Sequence, residues 1–242
     1  MERAYHKWFS PILQRDMELL VFGHSGRAVI FFPTRMARFY DYENWGVIGA
    51  MQDQIEAGEL QVFCVDSIDA ESFYNKAQPP AARITRHLQY EQYILKEVVP
   101  FIKELNNNNY LVSAGCSMGA YHSVNIAFRH PHIFKKVVAM SGRYDLTIAL
   151  PYYDDLFDSF HNEEIYFNMP RQYIPNLEDG DLLDNLRQMD ITIVIGRDDP
   201  FCPGNEAFDI QLWEKNIPHQ FYIWEGNAHK PRYWRQMVKL YL

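Results

Sequence analysis

Cysteine is scarce in this chain: Cys64, Cys116 and Cys202 are the only three among 242 residues. An odd, widely spaced set without a C-x-x-C pair excludes a disulfide framework or a cysteine zinc site as the organising device. Basic charge is also in deficit. Lys and Arg number 23 against 31 Asp and Glu, a formal net charge of -8 with a pI near 5.6. That balance argues against a nucleic-acid footprint. No apolar run approaches the roughly 18 residues that a membrane span requires. Met1 to Pro11 mixes charges with aromatics, unlike the apolar stretch of a signal peptide, so the expected location is the cytoplasm. Internal repeats are absent, and the one low-complexity run, Asn106 to Asn109, reads as a loop.

What remains is globular in composition, with 48% hydrophobic and 22% charged residues. The length suits one domain over 1–242 with a core of ordinary size. Short β-like runs alternate with longer helical ones. The predicted strands are Ala4–Phe9 and Met17–Phe22 as a hairpin, then Ala28–Phe32, Gln61–Val65, Tyr110–Ala114, Lys136–Met140, Ile191–Ile195 and Gln220–Trp224. Between them, helical periodicity covers Tyr42–Ala57, Arg83–Leu105 with a kink at Pro100, Met118–Phe128, Asp181–Met189, Glu206–Asn216 and Arg232–Leu242. This pattern predicts an α/β fold with about eight strands, a mostly parallel sheet and helices on both faces. Residues 144–177 break the alternation and are rich in aromatics, prolines and acids, so a cap-like insertion is expected there.

In such sheets the chemistry sits just beyond the carboxyl ends of the strands. Gly115-Cys116-Ser117-Met118-Gly119 occupies that place after the fifth strand and fits G-x-S-x-G, the tight turn that exposes a nucleophilic serine before a helix. Its glycines leave room where helix and strand backbones approach, and the Met118 N–H faces a developing oxyanion. A serine hydroxyl needs a base, and the base needs an orienting acid. Of nine histidines, only His229 follows the last strand by a short loop ahead of the last helix. The acid is expected after Ile191–Ile195, where Gly196-Arg197-Asp198-Asp199-Pro200 offers two carboxylates. Asp199 is preferred, Asp198 is the alternative, and Asp145 is a third candidate. Cys116 reads as a small core residue beside the nucleophile.

The run Gly115 to Ala120, then His130-Pro131 with Phe134, then Ser141-Gly142 with Asp145, resembles the putative-esterase branch of the α/β-hydrolase superfamily, which includes esterase-D-like enzymes. The similarity continues through Gly196–Pro200 and Trp224–His229. The resemblance implies an α/β-hydrolase fold and cofactor-free, metal-free hydrolysis of a small-molecule carboxylic ester. Ser117 would be the nucleophile, His229 the base, and one of Asp198 and Asp199 the acid. One departure stands out. Where such hydrolases usually carry His-Gly, this chain has Phe31-Phe32-Pro33-Thr34-Arg35-Met36. Pro33 has no N–H to give, so the second oxyanion donor falls to Thr34 or Arg35. Acyl transfer to another acceptor, thioester cleavage, or an inactive binding protein on the same fold are the competing expectations. Arg35 and Arg38 are either pocket cations or solvated loop residues. The aromatics Tyr152, Tyr153, Phe157, Phe160, Tyr166 and Phe167 either line the pocket or anchor the insertion.

Overall fold

A computed structural model describes residues 1–242. Its eight strands are β1 (Arg3–Ser10), β2 (Arg15–Phe22), β3 (Arg27–Phe32), β4 (Leu60–Val65), β5 (Leu111–Cys116), β6 (Lys136–Met140), β7 (Asp190–Gly196) and β8 (Gln220–Trp224). They form one sheet in the order β1-β2-β4-β3-β5-β6-β7-β8. β1 and β2 form an antiparallel hairpin, and β2 pairs antiparallel with β4. Every other pairing is parallel.

The alternation of side chains along a strand divides the core into two layers. On β3, Ala28, Ile30 and Phe32 face one layer, packed with Tyr93, Val98, Val124 and Phe208 from three helices. Val29 and Phe31 face the other, with Ile48, Met51, Trp234 and Met237. β3, β4 and β5 are buried almost throughout, which explains their continuous apolar runs.

Two predicted helices take a different form. Tyr42–Ala57 is broken into Asp41–Asn44, Val47–Ala50 and Gln52–Glu56. Gly46 lies between the first two with φ of 68°, a left-handed conformation that ends a helix. The long helix runs from Pro80 to Leu105, but its middle, Ile94–Val98, is a π-turn. It lies just ahead of Pro100, which can neither donate an N–H nor accept the preceding carbonyl's ordinary position. No helix is long and apolar enough to cross a membrane.

Registry brings the working ends together. Phe32 pairs with Gly115, Cys116 with Met140, and Gly196 with Trp224. The loops after β3, β5, β7 and β8 therefore leave the same edge of the sheet.

Candidate active site

β5 runs to Cys116, two residues beyond the predicted end, so Ser117 follows the strand directly and caps the helix Met118–Arg129. Its backbone sits at φ 58° and ψ -119°, a conformation that costs a non-glycine residue strain of order 1–3 kcal/mol. The turn is held on both sides. The Ser117 N–H donates to the Met140 carbonyl at 2.8 Å. Beneath it, the Tyr42 hydroxyl accepts from the Cys116 N–H and donates to the Phe32 carbonyl, each at 2.9 Å. Tyr42 thereby bridges β3 and β5 where they diverge, and its ring stacks on Phe31 at 4.0 Å. Cys116 is fully buried, and burial raises its thiol pKa well above the ordinary range, which removes it as a nucleophile.

Ser117, His229 and Asp199 meet. Ser117 Oγ lies 2.9 Å from His229 Nε2, and His229 Nδ1 lies 2.7 Å from Asp199 Oδ2. Asp199 is 2% exposed, and its second oxygen accepts from the Phe201 N–H at 3.0 Å. With both carboxylate oxygens engaged, it sets the imidazole tautomer with the proton on Nδ1 and a free lone pair facing the serine. Asp198 is exposed and turned away. Its N–H donates to the Gly226 carbonyl, and its own carbonyl accepts from Asn227. Asp145 accepts from Thr147 and Gln172 and does not reach His229.

The imidazole is braced by neighbours that the sequence did not reveal. Phe201 and Trp234 meet its ring edge-on, at 5.7 and 5.8 Å between centroids. Ser141, at the end of β6, donates its hydroxyl proton to the Ala228 carbonyl at 3.2 Å and accepts from Trp234 Nε1 at 3.2 Å. Gly196 lets the loops after β7 and β8 touch, because a Cβ there would lie 2.1 Å from the Asn227 carbonyl oxygen.

Met118 opens its helix, so its N–H has no intrahelical acceptor. On the β3 loop, the N–H groups of Thr34 and Arg35 find no backbone partner. That loop is tied down beyond them. The Met36 N–H, at a left-handed φ of 58°, donates to Asp69 Oδ2 at 3.1 Å. Asp69 Oδ1 contacts His122 Nε2 at 3.2 Å, on the same helix that Ser117 caps. Asp69 and His122 are 2% and 4% exposed, so this is a buried tie between the helix Ser117 caps and the loop after β3.

Ser117 and His229 open into a cavity of about 190 Å³ walled by Tyr74, Tyr121, Met118, Leu146, Tyr153 and Phe201, with Arg35 and Arg143. A second cavity of about 270 Å³ adjoins it through Arg143 and Phe201. Arg35 lines the cavity that holds Ser117 and His229. Arg38 turns away to pair with Asp66 and Glu18. The aromatics of 144–177 divide: Tyr153 lines the cavity, and Phe157 is buried against Phe73. Tyr152, Phe160 and Phe167 are exposed. No three His, Cys, Asp or Glu side chains are grouped to hold a metal ion. Tyr42, Asp69 and Ser141 each act through two hydrogen-bond contacts, reaching across 10 to 93 residues, which leave no local signal in a sequence.

An eight-stranded, mostly parallel sheet with a serine elbow after β5 and a histidine after β8 defines an α/β-hydrolase. The putative esterase family profile matches residues 40–237, and the chain belongs to that family. None of the curated proteins matches it in sequence. Among solved structures it is similar to a ferulic acid esterase, with TM-score 0.76, 18% identity and coverage of 99% of this chain and 95% of that one. An S-formylglutathione hydrolase from Staphylococcus aureus gives TM-score 0.72 at 19% identity, covering 99% and 94%. Fluorophosphonate-binding serine hydrolase F from the same organism gives 0.73 at 17%, covering 99% and 96%. At such identities the likeness is one of fold.

Proposed function

We propose that this protein is a serine esterase that cleaves small carboxylic esters through an acyl-enzyme on Ser117. The observation that carries the reading is the continuous hydrogen-bond chain from Ser117 Oγ through His229 to buried Asp199. Ser117 Oγ attacks the ester carbonyl carbon while His229 Nε2 takes its proton. Asp199 stabilises the imidazolium that forms. The carbonyl oxygen becomes an oxyanion, received by the Met118 N–H and by that of Thr34 or Arg35. Collapse of the tetrahedral intermediate breaks the bond to the alcohol oxygen, which leaves with the proton from His229. Water then attacks the acyl-serine, again deprotonated by His229, and releases the acid.

The segment 144–177 serves as a cover in this reading. Leu146 and Tyr153 contribute to the wall above the serine, and the chain remains one unit over 1–242. The three cysteines, all buried and unpaired, support the cytoplasm as its location.

The test is hydrolysis of p-nitrophenyl acetate together with labelling by a fluorophosphonate. The wild-type protein is expected to show both, and S117A neither. D199N is expected to lose about 10³–10⁴-fold in kcat through the wrong imidazole tautomer. An unlabelled wild-type protein without esterase activity would refute the proposal.

A further inference from the structure

The chain is acidic, and most of its arginines are neutralised by carboxylates. Arg38 pairs with Asp66, Arg86 with Glu71 and Arg129 with Glu91. Two that are not neutralised in this way line the same cavity as Ser117 and His229: Arg35 and Arg143. Arg35 hangs on the β3 loop, exposed, with its guanidinium carbon 5.7 Å from the centre of the Tyr74 ring. Cation–π contact with one face of the guanidinium leaves its N–H edge free for a planar acceptor.

Arg143 is more constrained. Its Nε donates to the Asp145 carbonyl at 3.2 Å. Its Nη2 donates to the carbonyls of Leu146, Ile148 and Asp154 at 3.2, 2.6 and 2.8 Å. All four acceptors are neutral, so the cation has four hydrogen bonds and no counter-ion in contact. Burial accordingly lowers its pKa from the ordinary guanidinium value, although Tyr74, Asp145, Asp155 and Asp154 work in the opposite direction. Two guanidinium groups without a contacting carboxylate thus border a cavity of about 190 Å³ whose remaining wall is largely aromatic and aliphatic. Such a pocket accepts an apolar body and draws a negative charge to its cationic side.

We infer that the site selects esters carrying a carboxylate, with Arg35 as the specificity-determining residue and Arg143 as a fixed positive background. The kinetic part of this inference rests on the esterase reading. Arg35 is the residue to vary, because its side chain bonds nothing that holds the fold, whereas Arg143 holds four carbonyls of its own loop.

The experiment compares matched ester pairs. With the carboxylate on the acyl arm, the pair is mono-p-nitrophenyl glutarate against p-nitrophenyl acetate. With it on the alcohol arm, the pair is 4-acetoxybenzoate against phenyl acetate. The readout is the anionic-to-neutral ratio of kcat/KM, which cancels any effect of the variant common to both esters. In at least one pair the wild-type ratio is expected to exceed one, to fall about tenfold in R35Q, and to be partly retained in R35K. Raising the salt concentration should compress the wild-type ratio toward that of R35Q.

Binding gives an independent arm. S117A should bind monoethyl glutarate more tightly than diethyl glutarate, and S117A/R35Q should lose that difference. Equal ratios in wild type and R35Q for both pairs, or no binding preference in S117A, would overturn the inference while leaving ester hydrolysis intact. A preference for the monoester in binding, without turnover of any ester, would sustain the anion site and sink the esterase reading.

Discussion

Gly119→Ala adds one methyl group at the point where the helix capped by Ser117 crosses the end of β3. The new Cβ would lie 2.1 Å from the Phe32 carbonyl oxygen and 2.8 Å from that of Pro33. Both are backbone atoms, so no side-chain rotation relieves the clash. Restoring an ordinary contact requires the helix and the β3 loop to separate by about 1 Å. Overpacking of this kind costs about 1–3 kcal/mol of stability. The functional loss should be larger, because the movement separates Ser117 from the loop proposed to carry the second oxyanion donor. A misplacement of about 1 Å costs on the order of 10²-fold in rate.

Gly49 supplies a control of opposite sign. It is exposed in the helix Val47–Ala50, and a Cβ there meets nothing within 4 Å. Gly49→Ala should therefore raise stability by about 0.5–1 kcal/mol through reduced freedom of the unfolded chain, with activity unchanged. Guanidinium denaturation gives the stability of both variants, and kcat/KM on p-nitrophenyl acetate gives their activity. A Gly119→Ala protein as stable and as active as wild type would show that the close approach at Phe32 does not constrain the site.

Two further outcomes follow from buried groups. Burial, reinforced by His122, pushes the His87 pKa down to about 3, with Glu91 and Arg129 acting in opposite senses nearby. His87 Nε2 accepts from Asn125 Nδ2 at 3.2 Å, and Asn168 Oδ1 fixes that amide orientation, so a proton on Nε2 would face a donor. Between pH 6.5 and about 3 the unfolded chain holds the His87 proton and the folded one does not. Stability should fall with pH in that window by at most about 1.4 kcal/mol per unit. H87Q should flatten the profile between pH 6.5 and 4.5, above the range where Glu91, lowered to about 2, contributes. Parallel denaturation profiles for H87Q and wild type would discount the buried neutral imidazole. Asp69→Ala leaves the Met36 N–H and His122 without their acceptor, at a cost of about 1–3 kcal/mol. Its kcat should fall more than its KM changes, since the loop it holds carries Thr34 and Arg35. Unchanged kcat would mean that the loop keeps its place without that tie.

The sheet was legible because strand-forming runs such as Ala28–Phe32 and Ile191–Ile195 are short, apolar and separated by helical stretches. That the side chains of Ser117, Asp199 and His229 meet was legible because strand ends constrain where side chains can come together. The break at Gly46 was not, since Tyr42–Ala57 keeps helical spacing of apolar residues across it. Asp198 and Asp199 are chemically equivalent neighbours, and only the turn Gly196–Asp199, closed by the Asp199 N–H to the Gly196 carbonyl at 3.1 Å, directs one inward. The same holds for Arg35 and Arg38, which differ by whether Asp66 lies within reach.

Part of the pocket wall is attached independently of Ser117, Asp199 and His229. Ser117, Asp199 and His229 issue from the ends of β5, β7 and β8, whereas Tyr74, Leu146 and Tyr153 hang from loops that make no hydrogen bond to those three. Mutational drift can therefore remodel the ceiling of this enzyme while its floor stays intact. Descendants of such a chain would diverge first in diet and last in chemistry.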